Sequence, residues 1–142
     1  MNSKAIIWDM DGVISDTQNL HAEIESRLLA QYDVHLSAQE ITRRYAGRRT
    51  AEFFEELLKE KGVSQFRISQ LMDKKWEFAM YGLESVEPIP GSVELIRKAY
   101  ERNIPQAVAS SSRNNYVRSI LYNLNVLHYF NPSVRNPWLS SQ

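Results

Sequence analysis

The sequence predicts an α/β fold built on a parallel sheet, with a helical segment inserted directly after the first strand. Three observations predict it. A short unbroken apolar run, Ala5 to Trp8, ends on Asp9; a long stretch with helical periodicity follows; and a second β-prone segment, Ile104 to Ala109, leads into another helix. Strands alternating with helices signal a parallel α/β arrangement.

Ala5-Ile6-Ile7-Trp8 has no polar residue to face solvent, the pattern of a strand buried on both faces of a parallel sheet. Gly12 then permits a tight turn. From about Thr17 to Tyr81 the spacing is helical. Leu20, Ile24 and Leu28 recur every fourth residue, and Phe53, Phe54, Leu57 and Leu58 form a second stripe. Ser37 with Glu40 reads as a capping box, Thr50 as the cap of the next helix, and Gly62 after Lys61 as that helix's stop. Trp76, Phe78, Phe53 and Phe54 are expected in the core of this helical part.

Pro88-Ile89-Pro90-Gly91 is a stiff connector into a helix carrying Val93, Ile96, Ala99 and Tyr100, which Asn103 ends. In the second β segment Pro105 is tolerable near the start. Ser110-Ser111-Ser112 then precedes a helix with Tyr116, Val117, Ile120, Leu121 and Leu124 on one face. The domain reading is therefore a core from 1–16 and 88–142 and a helical insert over 17–87.

Composition narrows the function classes. The chain has 142 residues, 43% hydrophobic and 24% charged, as for an ordinary globular protein. Its 17 basic and 17 acidic residues cancel, so no global field favours nucleic acid or an anionic membrane. Without cysteine there can be no disulfide, thiolate zinc site or thiol nucleophile. The early apolar run is too short for a signal-peptide core or a membrane span, and a cytoplasmic location is expected.

Asp9-Met10-Asp11-Gly12 sets two carboxylates two residues apart after a strand, at the sheet edge where open α/β folds bind ligands. A carboxylate attacking a phosphate dianion meets a like-charge repulsion of roughly 4 kcal/mol at an effective dielectric of ~20. A divalent cation relieves it, and Mg²⁺ suits one or two carboxylates plus substrate phosphate. With Asp9 as nucleophile, Asp11 is placed to carry the proton for the leaving oxygen. A calcium loop starting at Asp9 would need glycine and glutamate where Ile14 and Leu20 stand. An ordinary acidic turn is the remaining alternative; the apolar strand, Gly12 and Asp16 together weigh against it.

This segment resembles the first motif of the haloacid dehalogenase superfamily: an apolar strand, Asp-x-Asp-Gly, apolar residues and Asp. The second aspartate is similar to that of the phosphotransferase branch. The resemblance implies a phosphatase or a β-phosphoglucomutase-like mutase acting on a small phosphorylated metabolite such as a sugar phosphate. Asp9 would be phosphorylated, Asp11 would be the acid/base, and Mg²⁺ would be held by the Asp9 side chain and the Asp11 carbonyl.

The same resemblance gives roles to further residues. Ser110 matches the phosphate-binding hydroxyl of the second motif, with Ser111, Arg113 and Asn114 as further contacts; serines ahead of a helix also serve simply as caps. The insert resembles the helical cap that closes over such catalytic loops. His21 falls where the sugar-phosphate subgroup has a histidine, and reads equally as an exposed helix residue. Gly47 with Arg48 and Arg49 lies where that subgroup has a substrate-specificity loop, while Arg43 and Arg44 nearby make a solvated basic face the alternative.

The resemblance runs from about Lys4 to Phe130. Family members continue into a catalytic lysine and an acidic motif, but no Asp, Glu or Lys follows Glu101 here. Prolines in the segment from Asn131 to Gln142 oppose a central strand. The expectation is an incomplete sheet, the product of a truncated or frameshifted phosphatase gene, that exposes strand edges and invites self-association or survives as a non-enzymatic remnant.

Overall fold

In the computed structural model, which describes residues 4–130, β1 (Ile6–Trp8) pairs in parallel with β2 (Gln106–Val108), and Ile6, Ile7 and Trp8 stand opposite Gln106, Ala107 and Val108. These are the two strands among the described residues. Pairing continues just outside them, from the Ile6 N–H to the Pro105 carbonyl at 2.9 Å and from the Ala109 N–H to the Trp8 carbonyl at 2.8 Å. Pro105, which has no N–H to offer, sits just before the strand and acts as an acceptor.

The ribbon is tied to α5 (Ser92–Glu101) through Gln106. The Trp8 indole N–H donates to Gln106 Oε1 at 2.9 Å, and the Gln106 amide donates to the carbonyl of Ile96 in α5 at 3.0 Å. Side chains alternate along a strand, so Ile7 faces the other way, and it is 74% exposed. The expectation of a strand buried on both faces is thus corrected. Among the described residues no layer covers Ile7, and an apolar run alone cannot report which neighbouring layers exist.

The chain divides into two compact units at Thr17/Gln18 and at Gly82/Leu83. In the unit that holds the sheet, the connector folds back on the aspartate loop. The Asp16 N–H donates to the Glu87 carbonyl at 2.8 Å, the Ile89 N–H to the Ile14 carbonyl at 2.9 Å, and the Ser92 hydroxyl to that same carbonyl at 3.0 Å. Gly91, at φ 83°, takes the left-handed conformation at the start of α5. Helix α6 (Asn114–Asn123) buries Tyr116, Val117, Ile120 and Leu121, the stripe that its spacing predicts.

The second unit consists of α1 (Gln18–Ala30), α2 (Ala38–Tyr45), α3 (Thr50–Glu60) and α4 (Ile68–Tyr81). Helix α1 packs on α2 and α4, and α3 packs on α4. Its core includes Ile24, Leu28, Leu29, Phe53, Phe54, Leu57 and Leu58. The Ser37 capping box is present in both directions, with the Glu40 N–H donating to the Ser37 hydroxyl at 3.2 Å and the Ser37 N–H donating to the Glu40 carboxylate at 3.0 Å. Gly62 has φ 74° just past α3, as a helix stop requires.

Two expectations fail in this unit. Thr50 is the first residue of α3, not its cap; Arg49 holds that position without a side-chain bond. The Thr50 hydroxyl instead donates to Glu25 at 2.8 Å and accepts from Lys75 at 2.5 Å, while Lys75 also bonds Glu25 at 2.8 Å. Glu25 and Lys75 are both buried, so a charged cluster joins α1, α3 and α4 where the sequence suggested apolar packing alone. Phe78 is 36% exposed, not core. The inward stripe of α4 is Leu71, Lys75 and Ala79, and Phe78 lies off it, lining a groove with Leu20, Ile24 and Tyr81.

Candidate active site

The aspartate loop is wound around one carbonyl. The Met10 oxygen accepts from the N–H groups of Val13, Ile14 and Ser15 at 3.2, 2.9 and 3.0 Å, and the Gly12 N–H donates to the Ser15 carbonyl at 2.8 Å. Gly12 makes this possible with φ 78°. Met10 and Ile14 are fully buried and anchor the loop in the core, which leaves Asp9 exposed and Asp11 half-buried on either side of Met10.

Asp9 follows the last residue of β1, and its Oδ1 accepts from the Met10 N–H at 2.7 Å. Asp11 is held through both oxygens. Oδ1 accepts from the Thr17 hydroxyl at 2.5 Å, and Oδ2 accepts from the Ser112 hydroxyl at 3.0 Å. The second bond spans 101 positions of sequence and joins the loop after β1 to the loop after β2. Parallel pairing is its cause, because it brings the carboxyl ends of both strands to one edge of the sheet.

Across that edge the Ser112 N–H donates to the Ser110 hydroxyl oxygen at 3.1 Å, leaving the Ser110 proton to serve as a donor. Ser111, Arg113 and Asn114 are exposed. Arg113, the N-cap residue of α6, makes no side-chain cap bond, and the hydroxyls of Ser110 and Ser112 bond within the loop and to Asp11. The serines therefore do not cap α6. Beneath them lies Tyr116, fully buried, its phenol pushed well above the usual range by burial and then by the negative charge of Asp11.

Asp9, Asp11 and Ser110 thus share one sheet edge. Sequence reasoning missed Thr17, Ser112 and Tyr116 there; the one signal in the chain is a run of small hydroxyl residues after each strand, Ser15 and Thr17 after β1 and the serines after β2.

The other candidates belong to the helical unit. His21 lies on α1 with its ring edge-on to Trp76, 5.9 Å between centroids. Gly47 is exposed at φ 82°, with open space where a Cβ would stand. Arg48 pairs with Glu56 at 2.8 Å, and Arg49 approaches Glu52 at 3.8 Å. An anion binding at Arg48 would compete with the carboxylate already bonded to it.

The model of one protein family, described as haloacid dehalogenase-like hydrolase, matches residues 6–140 and so spans both strand-end loops. The chain belongs to that family. The match reaches ten residues past Phe130, where the motif resemblance stops; residues 131–142, with their prolines, lie outside the described part of the structure.

Among the relatives, 6-phosphogluconate phosphatase of Escherichia coli is 24% identical over 127 residues, covering 89% of this chain and 56% of its own length. The β-phosphoglucomutase of Bacillus subtilis is 29% identical over 118 residues, covering 78% and 52%. A conserved haloacid dehalogenase-like protein of unknown function from Agrobacterium tumefaciens superposes with a TM-score of 0.73 at 26% identity, over 92% of this chain and 57% of that one. The chain spans about half the length of the curated relatives it matches. No helix among the described residues is long and apolar enough to cross a membrane.

Proposed function

We propose that this haloacid dehalogenase-like chain supplies the nucleophile and the acid/base for phosphoryl transfer from a small phosphorylated metabolite, most simply as a sugar-phosphate phosphatase. The observation that carries this reading is the Ser112 to Asp11 bond, which ties the aspartate loop and the serine loop to one sheet edge. Asp9, exposed at the end of β1, attacks phosphorus; Asp11, half-buried beside it, gives its proton to the leaving oxygen and recovers one from the water that hydrolyses the aspartyl-phosphate. The Ser110 hydroxyl and the start of α6, with Ser111, Arg113 and Asn114, bind the phosphoryl oxygens.

Among the described residues no three acidic or histidine side chains converge on a metal position. The Asp9 carboxylate and the Asp11 main-chain carbonyl are hard oxygen donors, and such a sparse set fits Mg²⁺, which keeps several waters and takes further oxygens from substrate phosphate. When bound there, Mg²⁺ supplies the charge neutralisation that lets a carboxylate approach a phosphate.

The test is release of inorganic phosphate from an aryl phosphate. Release is expected with Mg²⁺, to cease on chelation, and to return when Mg²⁺ is restored; release that is indifferent to the chelator contradicts the reading. The 29% identity to β-phosphoglucomutase supports a second outcome of the same first step, in which a substrate hydroxyl replaces water as acceptor. Isomerisation of a glucose phosphate without phosphate release would select it.

A further inference from the structure

We propose that Ser112 is a positioning residue for Asp11, so that the loop after β2 aims the proton-transfer group as well as receiving phosphate. The inference rests on the acid/base role given to Asp11 above. Ser112 is 5% exposed, and its hydroxyl reaches across to Asp11 Oδ2 at 3.0 Å instead of turning back onto the N–H groups of α6. On the other side, Thr17 bonds Oδ1; its hydroxyl lies 3.2 Å from that of Ser15, which donates to the Met10 carbonyl at 3.3 Å. Both Ser15 and Thr17 are fully buried. A line of hydroxyls thus runs from the core of the aspartate loop through Asp11 to Ser112.

The chemistry of these partners matters. A lysine or an arginine would add a positive charge that holds Asp11 as the carboxylate. A serine hydroxyl is neutral, and the oxygen of a carboxylic acid keeps a lone pair that can accept from it. With the acid proton facing the leaving oxygen, Ser112 donates to Asp11 Oδ2 both before and after that proton passes, and keeps its own proton throughout. The Ser112 N–H, donating to the Ser110 hydroxyl, fixes the spacing between this contact and the proposed phosphate contact.

The experiment compares the full chain with Ser112→Ala and Ser112→Thr on two substrates, an aryl phosphate with a good leaving group and an alkyl phosphate whose leaving oxygen needs the proton. Ser112→Ala is expected to lose about tenfold more kcat on the alkyl than on the aryl phosphate, and Ser112→Thr to recover most of that difference. Equal losses on both, or a change confined to KM, would mean that Ser112 only binds phosphate, and would overturn the proposal.

A second arm needs no turnover. In denaturant unfolding of Asp11→Ala, Ser112→Ala and the double variant, the shifts in midpoint are expected to be non-additive; additive shifts deny the contact itself. Should wild-type protein release no phosphate, or release it equally well as Asp9→Asn, the phosphatase reading fails, while the unfolding cycle still decides whether Ser112 holds Asp11.

Discussion

Asp9→Asn is expected to lower Mg²⁺-dependent hydrolysis of an aryl phosphate by about 10⁴-fold or more, the scale on which removal of one member of a covalent-catalysis unit acts. The substitution is nearly isosteric. Its amide oxygen can still accept from the Met10 N–H, which now bonds Asp9 Oδ1 at 2.7 Å, so the loop geometry has little reason to change. What disappears is the negative oxygen that attacks phosphorus in the proposed reaction. Steady-state phosphate release, with circular dichroism to show that the variant is folded, checks the expectation. A folded variant within tenfold of wild type would remove Asp9 from the reaction.

The largest effect on stability is expected from Lys75→Met. Lys75 is 6% and Glu25 7% exposed, and the ammonium lies 2.8 Å from Glu25 Oε1. Removing the cation leaves a carboxylate buried without its counter-charge, with the Thr50 hydroxyl still donating to it at 2.8 Å. Breaking a buried pair from one side costs about 3–5 kcal/mol. The double change Glu25→Leu with Lys75→Met removes both charges and is expected to recover most of that loss, because a well-packed apolar replacement of a buried pair is often neutral. Equilibrium denaturation of the three variants distinguishes this from simple loss of packing, in which the double variant would be the least stable.

The elements that were legible from the sequence are those whose cause is local. The apolar run before Asp9 with glycine at position 12 announces a strand and a tight turn, Ser37 with Glu40 announces a helix start, and the spacing of Tyr116, Val117, Ile120 and Leu121 announces the buried face of α6. What failed depends on partners far along the chain. Thr50 bonds Glu25 and Lys75, each 25 positions away, so its preference for capping was outcompeted by a contact no window could see. Ile7 is exposed because burial of a strand face depends on the layer opposite. In the site, the two carboxylates and Ser110 carried enough pattern to be picked out, whereas Ser112 joins Asp11 only after the strands pair.

The most direct measurement is to quench the chain with borohydride during turnover of an aryl phosphate in Mg²⁺ and to map the product by peptide mass spectrometry. An acyl phosphate is reduced to an alcohol where a free carboxylate is not, so the side chain of residue 9 is expected to be recovered as the alcohol, and in no other peptide. Reduction at a different residue, or sustained turnover with residue 9 always recovered as aspartate, would contradict an aspartyl-phosphate at the end of β1.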